Sequence, residues 1–216
     1  MKKIILLLIL INSFGIIPSS CSDGVIRKVK ENFPNGKEKL VVYMRDTILV
    51  KKEEFYQNGK RKSLDEYTDS LVVYSVWNPE GHLLETSSLI GAEDGENGTV
   101  IRYENNLKVL EVTYEGGGIS ELTNFYPNGN KMKHSKGGEI TNLDVTTEWY
   151  ESGKKKSFKD QYGKKETFYE NGDKESLTYL GKEEKDTLTQ YWWNESGELI
   201  KEEFWEKGRL IETKEY

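Results

Sequence analysis

One short phrase returns along this chain and constrains its fold more than any other feature. The phrase is an aromatic pair, one polar residue or proline, Asn or Ser, and then Gly, and residues 168–172 show it most plainly. From Gly36 to Gly197, successive copies lie 19 to 25 residues apart when Asn106 is counted as a turn position. An interval of this length is typical of repeat proteins. The copies predict turn glycines at Gly36, Gly59, Gly81, Gly129, Gly153, Gly172, Gly197 and Gly208.

Each copy predicts the turn of a β-hairpin, because an aromatic strand that stops at Asn-Gly and then resumes is a strong hairpin signal. Pro34, Pro79 and Pro127 stand two residues before the turn glycine. This placement favours a three-residue loop, with a type I turn followed by a glycine in the left-handed conformation that forms a bulge. In the copies without proline, a two-residue type I′ turn is the alternative.

One such hairpin should not be stable alone. Burial of about three apolar side chains contributes ~1.5–3 kcal/mol each, whereas ordering some twenty residues costs roughly 1–2 kcal/mol per residue. Neighbouring hairpins must therefore pair edge to edge. We predict an all-β fold, with tandem β-hairpin repeats in an elongated, twisted antiparallel meander sheet. We also expect a thin apolar core on one face of the sheet and polar residues on the other.

The first twenty residues have the layout of a secretory signal peptide. Lys2 and Lys3 give a basic start, residues 4–11 are all apolar, and Ser19 and Ser20 precede Cys21. The apolar stretch is too short for a transmembrane helix. Cys21 is the only cysteine, and it lies where a bacterial lipoprotein carries its lipid. The alternative is an ordinary secreted protein that is cleaved near Ser20.

These features divide the chain into a signal peptide (1–20), a short tether (21–28) and a repeat domain (29–216). Lipid on Cys21 would anchor the protein to a membrane of the bacterial cell envelope, on the periplasmic or the surface side. Residues 1–20 contain two lysines and no acid, so their removal changes the net charge from −6 to −8. This charge argues against nucleic-acid binding, although residues 60–62 and 154–156 are basic.

The remaining motifs predict neither catalysis nor a cofactor. His82 and His134 have no cysteine or histidine at ligand spacing, and no free thiol is left once Cys21 is modified. Neighbouring acids such as Glu53 and Glu54 would point to opposite faces of a strand, so they cannot form a glycosidase pair. Residues 91–98 are predicted to form an acidic, glycine-rich loop without the alternating ligands of a calcium site.

Trp192 and Trp193 are the main candidates for a binding surface. Because they are consecutive, one of them must face away from the core in a regular strand. An outward indole can bind a sugar ring or act as a protein hot spot. The alternative is that a neighbouring strand, loop or lysine stem covers it.

The aromatic pair, the Asn-Gly turn and the recurring interval resemble those of the bacterial MORN-repeat-variant proteins. The resemblance covers most of residues 31–216 and is strongest at 53–67, 123–133 and 147–179. It implies tandem hairpins, a binding or scaffolding role and, for many members of that family, an antitoxin function. We therefore expect a non-catalytic envelope lipoprotein that binds an unknown protein partner. A carbohydrate or cell-wall binding module that uses exposed Trp and Tyr is the alternative.

Overall fold

The computed structural model describes residues 24–92, 95–137, 144–180 and 187–216 of the protein. Within these ranges the chain forms seventeen β-strands and no helix. The first nine strands are β1 (Val25–Asn32), β2 (Glu38–Arg45), β3 (Ile48–Phe55), β4 (Arg61–Tyr67), β5 (Val72–Trp77), β6 (Leu83–Ala92), β7 (Gly95–Glu104), β8 (Leu107–Glu115) and β9 (Gly118–Phe125). The last eight are β10 (Lys131–Lys136), β11 (Val145–Trp149), β12 (Lys155–Lys159), β13 (Lys165–Phe168), β14 (Lys174–Leu180), β15 (Thr187–Trp193), β16 (Leu199–Glu206) and β17 (Arg209–Glu215).

Every strand pairs antiparallel with the strand that precedes it and the strand that follows it in the chain. The result is one open meander sheet with β1 and β17 at its two ends. The prediction of an all-β fold built from tandem hairpins is confirmed. At about 4.8 Å between neighbouring strands, seventeen strands give a sheet about 77 Å long.

The turns that follow the odd-numbered strands all lie along one side of the sheet, which we call the turn edge. Seven of these eight turns are three-residue loops, as at residues 34–36, where the Gly36 amide donates to the Phe33 carbonyl (2.9 Å) and the Phe33 amide donates to the Lys37 carbonyl (2.8 Å). The loop has this form with or without proline. The exception is Asn105 and Asn106, both at positive φ in a two-residue turn. The seven loop glycines have φ between 82° and 105° and are Gly36, Gly59, Gly81, Gly129, Gly153, Gly172 and Gly197.

Gly208 has a different place in the fold from the other copies of the phrase. It follows the even-numbered strand β16 and therefore lies on the side of the sheet opposite the turn edge. There it forms a two-residue turn with Lys207, and both residues have positive φ (74° and 49°). A further three-residue loop on that side, at residues 161–163, has no aromatic pair, and the recurring phrase gave no signal for it.

One β-bulge follows each loop of the turn edge at the same distance. The strand after the loop carries one residue that has no partner, three positions after the turn glycine. The unpaired position is the same in the two forms of the copy, one with Ser four residues after the glycine and the other with Leu two residues after it. A bulge increases the local twist of a sheet, so its regular return gives a steadily twisting ribbon. The residues left out of the pairing are Lys39, Lys62, Leu84, Met132, Lys156, Glu175 and Ile200.

The expectation of a core on one face only is wrong. Directly opposed residues share a face of the sheet, so the register defines two faces. Face 1 carries Val42, Val112 and Glu203, and face 2 carries Val41 and Leu177, and all five are buried. No second layer covers either face in the described part of the chain. Burial comes instead from the long side chains of neighbouring strands on the same face.

Two boundaries differ from those expected. Residues 25–28, assigned to the tether, already belong to β1, where Val25 and Ile26 continue the strand and pair with Arg45 and Met44. The predicted loop at 91–98 is instead largely paired, because β6 continues to Ala92 and β7 begins at Gly95. The signal segment and Cys21 lie outside the described residues. None of the described residues belongs to a helix that could cross a membrane.

Candidate functional site

Tyrosine hydroxyls along the turn edge connect each hairpin to the next. The second aromatic residue of the phrase is Tyr in four copies. In each, its hydroxyl donates a hydrogen bond of 2.8–2.9 Å to the backbone carbonyl of the first aromatic residue of the following hairpin. That carbonyl lies beside the bulge, where the regular ladder is disrupted. The four donor–acceptor pairs are Tyr56 and Trp77, Tyr126 and Trp149, Tyr150 and Phe168, and Tyr169 and Trp193.

The asparagine of the phrase has two functions. Its side-chain oxygen accepts the amide hydrogen two residues later, as between Asn58 and Lys60 (2.9 Å), and this contact fixes the loop. Its side-chain nitrogen donates to a carbonyl of the next loop, as between Asn58 and Pro79 (2.8 Å). Asn128 and Asn171 repeat both contacts. The turn edge is therefore a hydrogen-bonded array of loops rather than a row of independent turns.

Face 2 carries a row of aromatic side chains at the ends of the odd strands, next to the loops. Cations from the preceding even strand stack on these rings: Arg61 of β4 lies 5.4 Å from the Trp77 centroid, and Lys174 of β14 lies 5.6 Å from the Trp193 centroid. Such contacts contribute about 0.5–1 kcal/mol at exposed sites. They also cover five rings of the row, which therefore do not form an open aromatic platform: Trp77, Phe125, Trp149, Phe168 and Trp193. The row consists of Phe55, Trp77, Tyr103, Phe125, Trp149, Phe168 and Trp193.

Trp192 and Trp193 lie on opposite faces of β15, and both are only partly exposed. On face 1, the Lys201 ammonium lies 4.7 Å from the centroid of the Trp192 ring. On face 2, Trp193 has Lys174 over it and lies 6.1 Å from the Tyr191 ring, centroid to centroid. Each indole thus has a lysine stem on it, which is the arrangement expected of a covered tryptophan.

More accessible rings lie near Trp193, at the C-terminal end of face 2. We call Tyr179, Tyr191, Trp193, Phe204 and Tyr216 the C-terminal aromatic patch. Phe204 and Tyr179 are both opposed to Thr189, and they are 37% and 43% exposed. Tyr216 is 68% exposed, and its hydroxyl donates to Glu202 (3.1 Å). A depression of about 250 Å³ opens between Tyr191 and Phe204. The recurring phrase did not predict this patch. Tyr179 and Tyr216 lie outside its copies, and Phe204 lies in the copy that ends at Gly208, whose turn is on the other side of the sheet.

Glu53 is the best-connected carboxylate of face 2 and is 4% exposed. Its oxygens accept hydrogen bonds from the Tyr43 hydroxyl (2.6 Å) and the Arg61 guanidinium (2.7 Å), and the Lys51 ammonium lies 3.4 Å away. Burial raises the pKa of the Glu53 carboxyl, but the hydrogen bond from Tyr43 and the charges of Arg61 and Lys51 outweigh it and lower the pKa below its ordinary value. The arrangement holds a charged carboxylate in place, as an ion-pair network does, and favours its ionised form.

Neither histidine belongs to the network around Glu53. His82 is exposed next to its loop, and the His134 ring contacts the Thr123 hydroxyl at 2.9 Å. Among the side chains that the structure describes, no group of three or more His, Cys, Asp or Glu residues could hold a metal ion. No family model matches the chain, and no curated protein is significantly similar to it.

Proposed function

We propose that this protein is a non-catalytic lipoprotein of the bacterial cell envelope that binds a protein partner through the C-terminal aromatic patch. Lipid on Cys21 would hold the sheet at the membrane. The resemblance of the repeats to MORN-repeat variants is consistent with a scaffold or with an immunity function of the antitoxin kind, directed against a secreted toxin.

The observation that carries the proposal is the exposure of aromatic rings at one end of a broad, open sheet. Protein interfaces are enriched in Tyr, Trp and Phe, and a few such rings supply most of the binding free energy. Phe204 and Tyr216 leave 37% and 68% of their surface exposed, and Glu202 and Lys214 provide polar groups around the depression. This combination of apolar centre and charged rim is typical of a protein-binding surface.

Affinity purification from detergent-solubilised membranes tests the proposal. The wild-type protein should retain a stable partner, and a Phe204→Ala/Tyr216→Ala variant should lose it. Tyr162→Ala, which removes a ring that is 77% exposed on the loop after β12, is the matched control and should retain the partner. Reproducible absence of any partner, or equal loss in the control, would reject this surface. Deletion of the gene should sensitise cells to toxin-producing neighbours if the function is immunity.

Membrane attachment is tested separately. A Cys21→Ser variant should appear in the soluble fraction, because it has no site for the acyl chains. Continued tight association of this variant with membranes would reject lipid attachment.

A carbohydrate-binding module is the second candidate, and Trp192 and Trp193 would be its binding residues. Its support is the half-exposed indole on each face of β15. Binding to peptidoglycan or to a glycan array that is lost in Trp192→Ala or Trp193→Ala would favour it. Unchanged binding in both variants would remove this pair from consideration.

A further inference from the structure

One pair of strands places like charges directly opposite each other. Lys159 of β12 and Lys165 of β13 are register partners on face 1. All other directly opposed charged residues in the described strands have opposite signs, as do Glu85 with Arg102 (3.0 Å) and Lys133 with Glu148 (3.5 Å). Like charges in such a position destabilise a sheet.

The two ammonium groups also have no partner in the described part of the chain. Neither Lys159 nor Lys165 forms an ion pair, a hydrogen bond or a ring contact with a described residue. The carboxylate that is nearest in register, Glu148, is already bound to Lys133 and accepts a hydrogen bond from Ser157 (3.3 Å). Lys159 and Lys165 thus place two positive charges side by side, and no described carboxylate neutralises them.

Both lysines line a concave groove of about 620 Å³ that crosses β10 to β15 on face 1. We call it the lysine groove. Four lysines and two glutamates line it, and the floor on either side of Lys159 and Lys165 is made of short hydroxyl side chains such as Thr146 and Thr178. These two threonines are the direct register neighbours of the lysines, so a row runs Thr146, Lys159, Lys165, Thr178 across four strands.

We propose that the lysine groove binds an acidic polysaccharide, with one sugar carboxylate held between Lys159 and Lys165. Two ammonium groups that converge on one carboxylate form charge-assisted hydrogen bonds and relieve their mutual repulsion. The neighbouring threonine hydroxyls both donate and accept, as sugar hydroxyls require. Because the row runs across the strands, a linear chain can lie along the groove and place successive units over successive strands.

The chemistry of the lining separates this ligand from single-stranded nucleic acid. Binding of single-stranded nucleic acid depends on aromatic rings that stack on the bases, and none of the lining residues is aromatic. The lysine groove is on the face opposite the C-terminal aromatic patch, so this inference does not depend on the proposed protein partner.

Titration of the full-length protein in detergent with a hexamer of galacturonic acid, at low salt, tests the proposal. The methyl ester of the same hexamer is the neutral control. The acid should bind, and its affinity should fall as salt is added. A Lys159→Gln/Lys165→Gln variant should bind at least about tenfold more weakly, since it loses two charge-assisted contacts.

The matched protein control is Lys28→Gln/Lys30→Gln, which removes two exposed lysines of β1 and changes the net charge equally. Its affinity should change by less than about twofold, because screened charges this far from the groove act weakly. The Lys159→Gln/Lys165→Gln variant should also unfold at or above the temperature of the wild type, since repulsion is removed. Equal affinity for the methyl ester, an equal loss in the β1 control, or equally tight binding of single-stranded DNA would overturn the proposal, as would a lower unfolding temperature.

Discussion

The four tyrosine hydroxyls of the turn edge show how one residue of a short motif can join two repeats. Their acceptor carbonyls lie 18 to 24 residues further along the chain, at the first aromatic residue of the following copy. Where the second aromatic residue is replaced by Asn, as at Asn78 and Asn194, the side-chain oxygen instead accepts amide hydrogens within its own loop. Copies with Tyr at this position therefore bind the next hairpin through its hydroxyl, whereas copies with Asn use its side-chain oxygen to close their own turn.

Tyr150→Phe should destabilise the protein by about 1–2 kcal/mol, because it leaves the Phe168 carbonyl without its side-chain donor. Urea unfolding followed by tryptophan fluorescence measures the change. Tyr162→Phe is the control, because the Tyr162 ring is exposed and its hydroxyl bonds to no described residue. Equal stability of the two variants would show that the Tyr150 hydroxyl contributes nothing.

The carboxylate of Glu53 links stability to pH. Its folded-state pKa lies below the ordinary value of 4.5, since Tyr43, Arg61 and Lys51 favour the charged form more than burial opposes it. The stabilisation is therefore complete above pH 4.5 and is lost as the pH falls through the lower folded-state pKa. The pKa values of Glu121 and Glu203 are also lowered, first by hydrogen bonds from Lys136 and Lys201, and act in the same direction.

Glu53→Gln should lower the free energy of unfolding at pH 7 by roughly 2 kcal/mol, because Arg61 and Lys51 lose their counter-charge. The difference from the wild type should shrink below pH 4.5, where the Glu53 carboxyl of the unfolded wild type takes up a proton, and should be lost once the pH is below the folded-state pKa. Denaturant unfolding at pH 7 and near pH 3 measures both values. Glu104→Gln, at an exposed position at the end of β7, should show no such convergence. A constant difference at both pH values would contradict the assigned role of the Glu53 charge.

At the scale of the elements, the loop and its bulge form one unit. The glycine of the loop has positive φ, and the unpaired residue follows three positions later in copies of either form. The loop could be predicted because its chemistry is local: Asn and Gly tolerate the conformation that the turn demands. A bulge at the left-handed glycine was predicted with the loop, but the bulge three positions later was not, because it depends on which residue of the preceding strand pairs after the turn. Apolar residues such as Leu84 and Ile200 stand at this unpaired position and are exposed.

Gly98 of β7 shows a second use of glycine, in which the neighbouring strand leaves no space for a side chain. A Cβ atom at Gly98 would overlap the carbonyl oxygen of Ser88 in β6, and the residue also has φ of 143°. Gly98→Ala should therefore destabilise the hairpin of β6 and β7 by more than about 2 kcal/mol.

Gly116→Ala is the matched control for Gly98→Ala. Gly116 also has positive φ (59°), but nothing lies within 4 Å of a Cβ built there. It should cost about 1–2 kcal/mol through backbone strain alone. Hydrogen exchange of the β6 and β7 amides, together with denaturant unfolding, distinguishes the two. The overlap with Ser88 would be refuted if Gly98→Ala cost no more than Gly116→Ala.

For the whole molecule, the repeat pattern was enough to predict an elongated meander, but not how its side chains are covered. Low overall hydrophobicity favoured a thin core on one face, yet the consecutive residues Val41 and Val42 lie on different faces and both are buried. The sequence pattern of a single strand cannot show that both faces are screened by lysine and glutamate stems from adjacent strands. The candidate surfaces were only partly predicted for the same reason. Trp193 and Phe204 both belong to copies of the recurring phrase, but only the strand register places them on the same face, and Tyr216 lies outside every copy.

The single-layer sheet makes a quantitative prediction about shape. A slab about 77 Å long, about 25 Å wide and about 10 Å thick has a radius of gyration of about 24 Å, against about 16 Å for a compact domain of this length. Small-angle X-ray scattering of a soluble form that begins at Ser22 should give the larger value in buffer and about 47 Å in concentrated urea. A native value near 16 Å would mean that the hairpins fold back on one another and bury one face. The lysine groove and the aromatic patch could then not both be open to ligands, so this one measurement bears on both proposed binding surfaces.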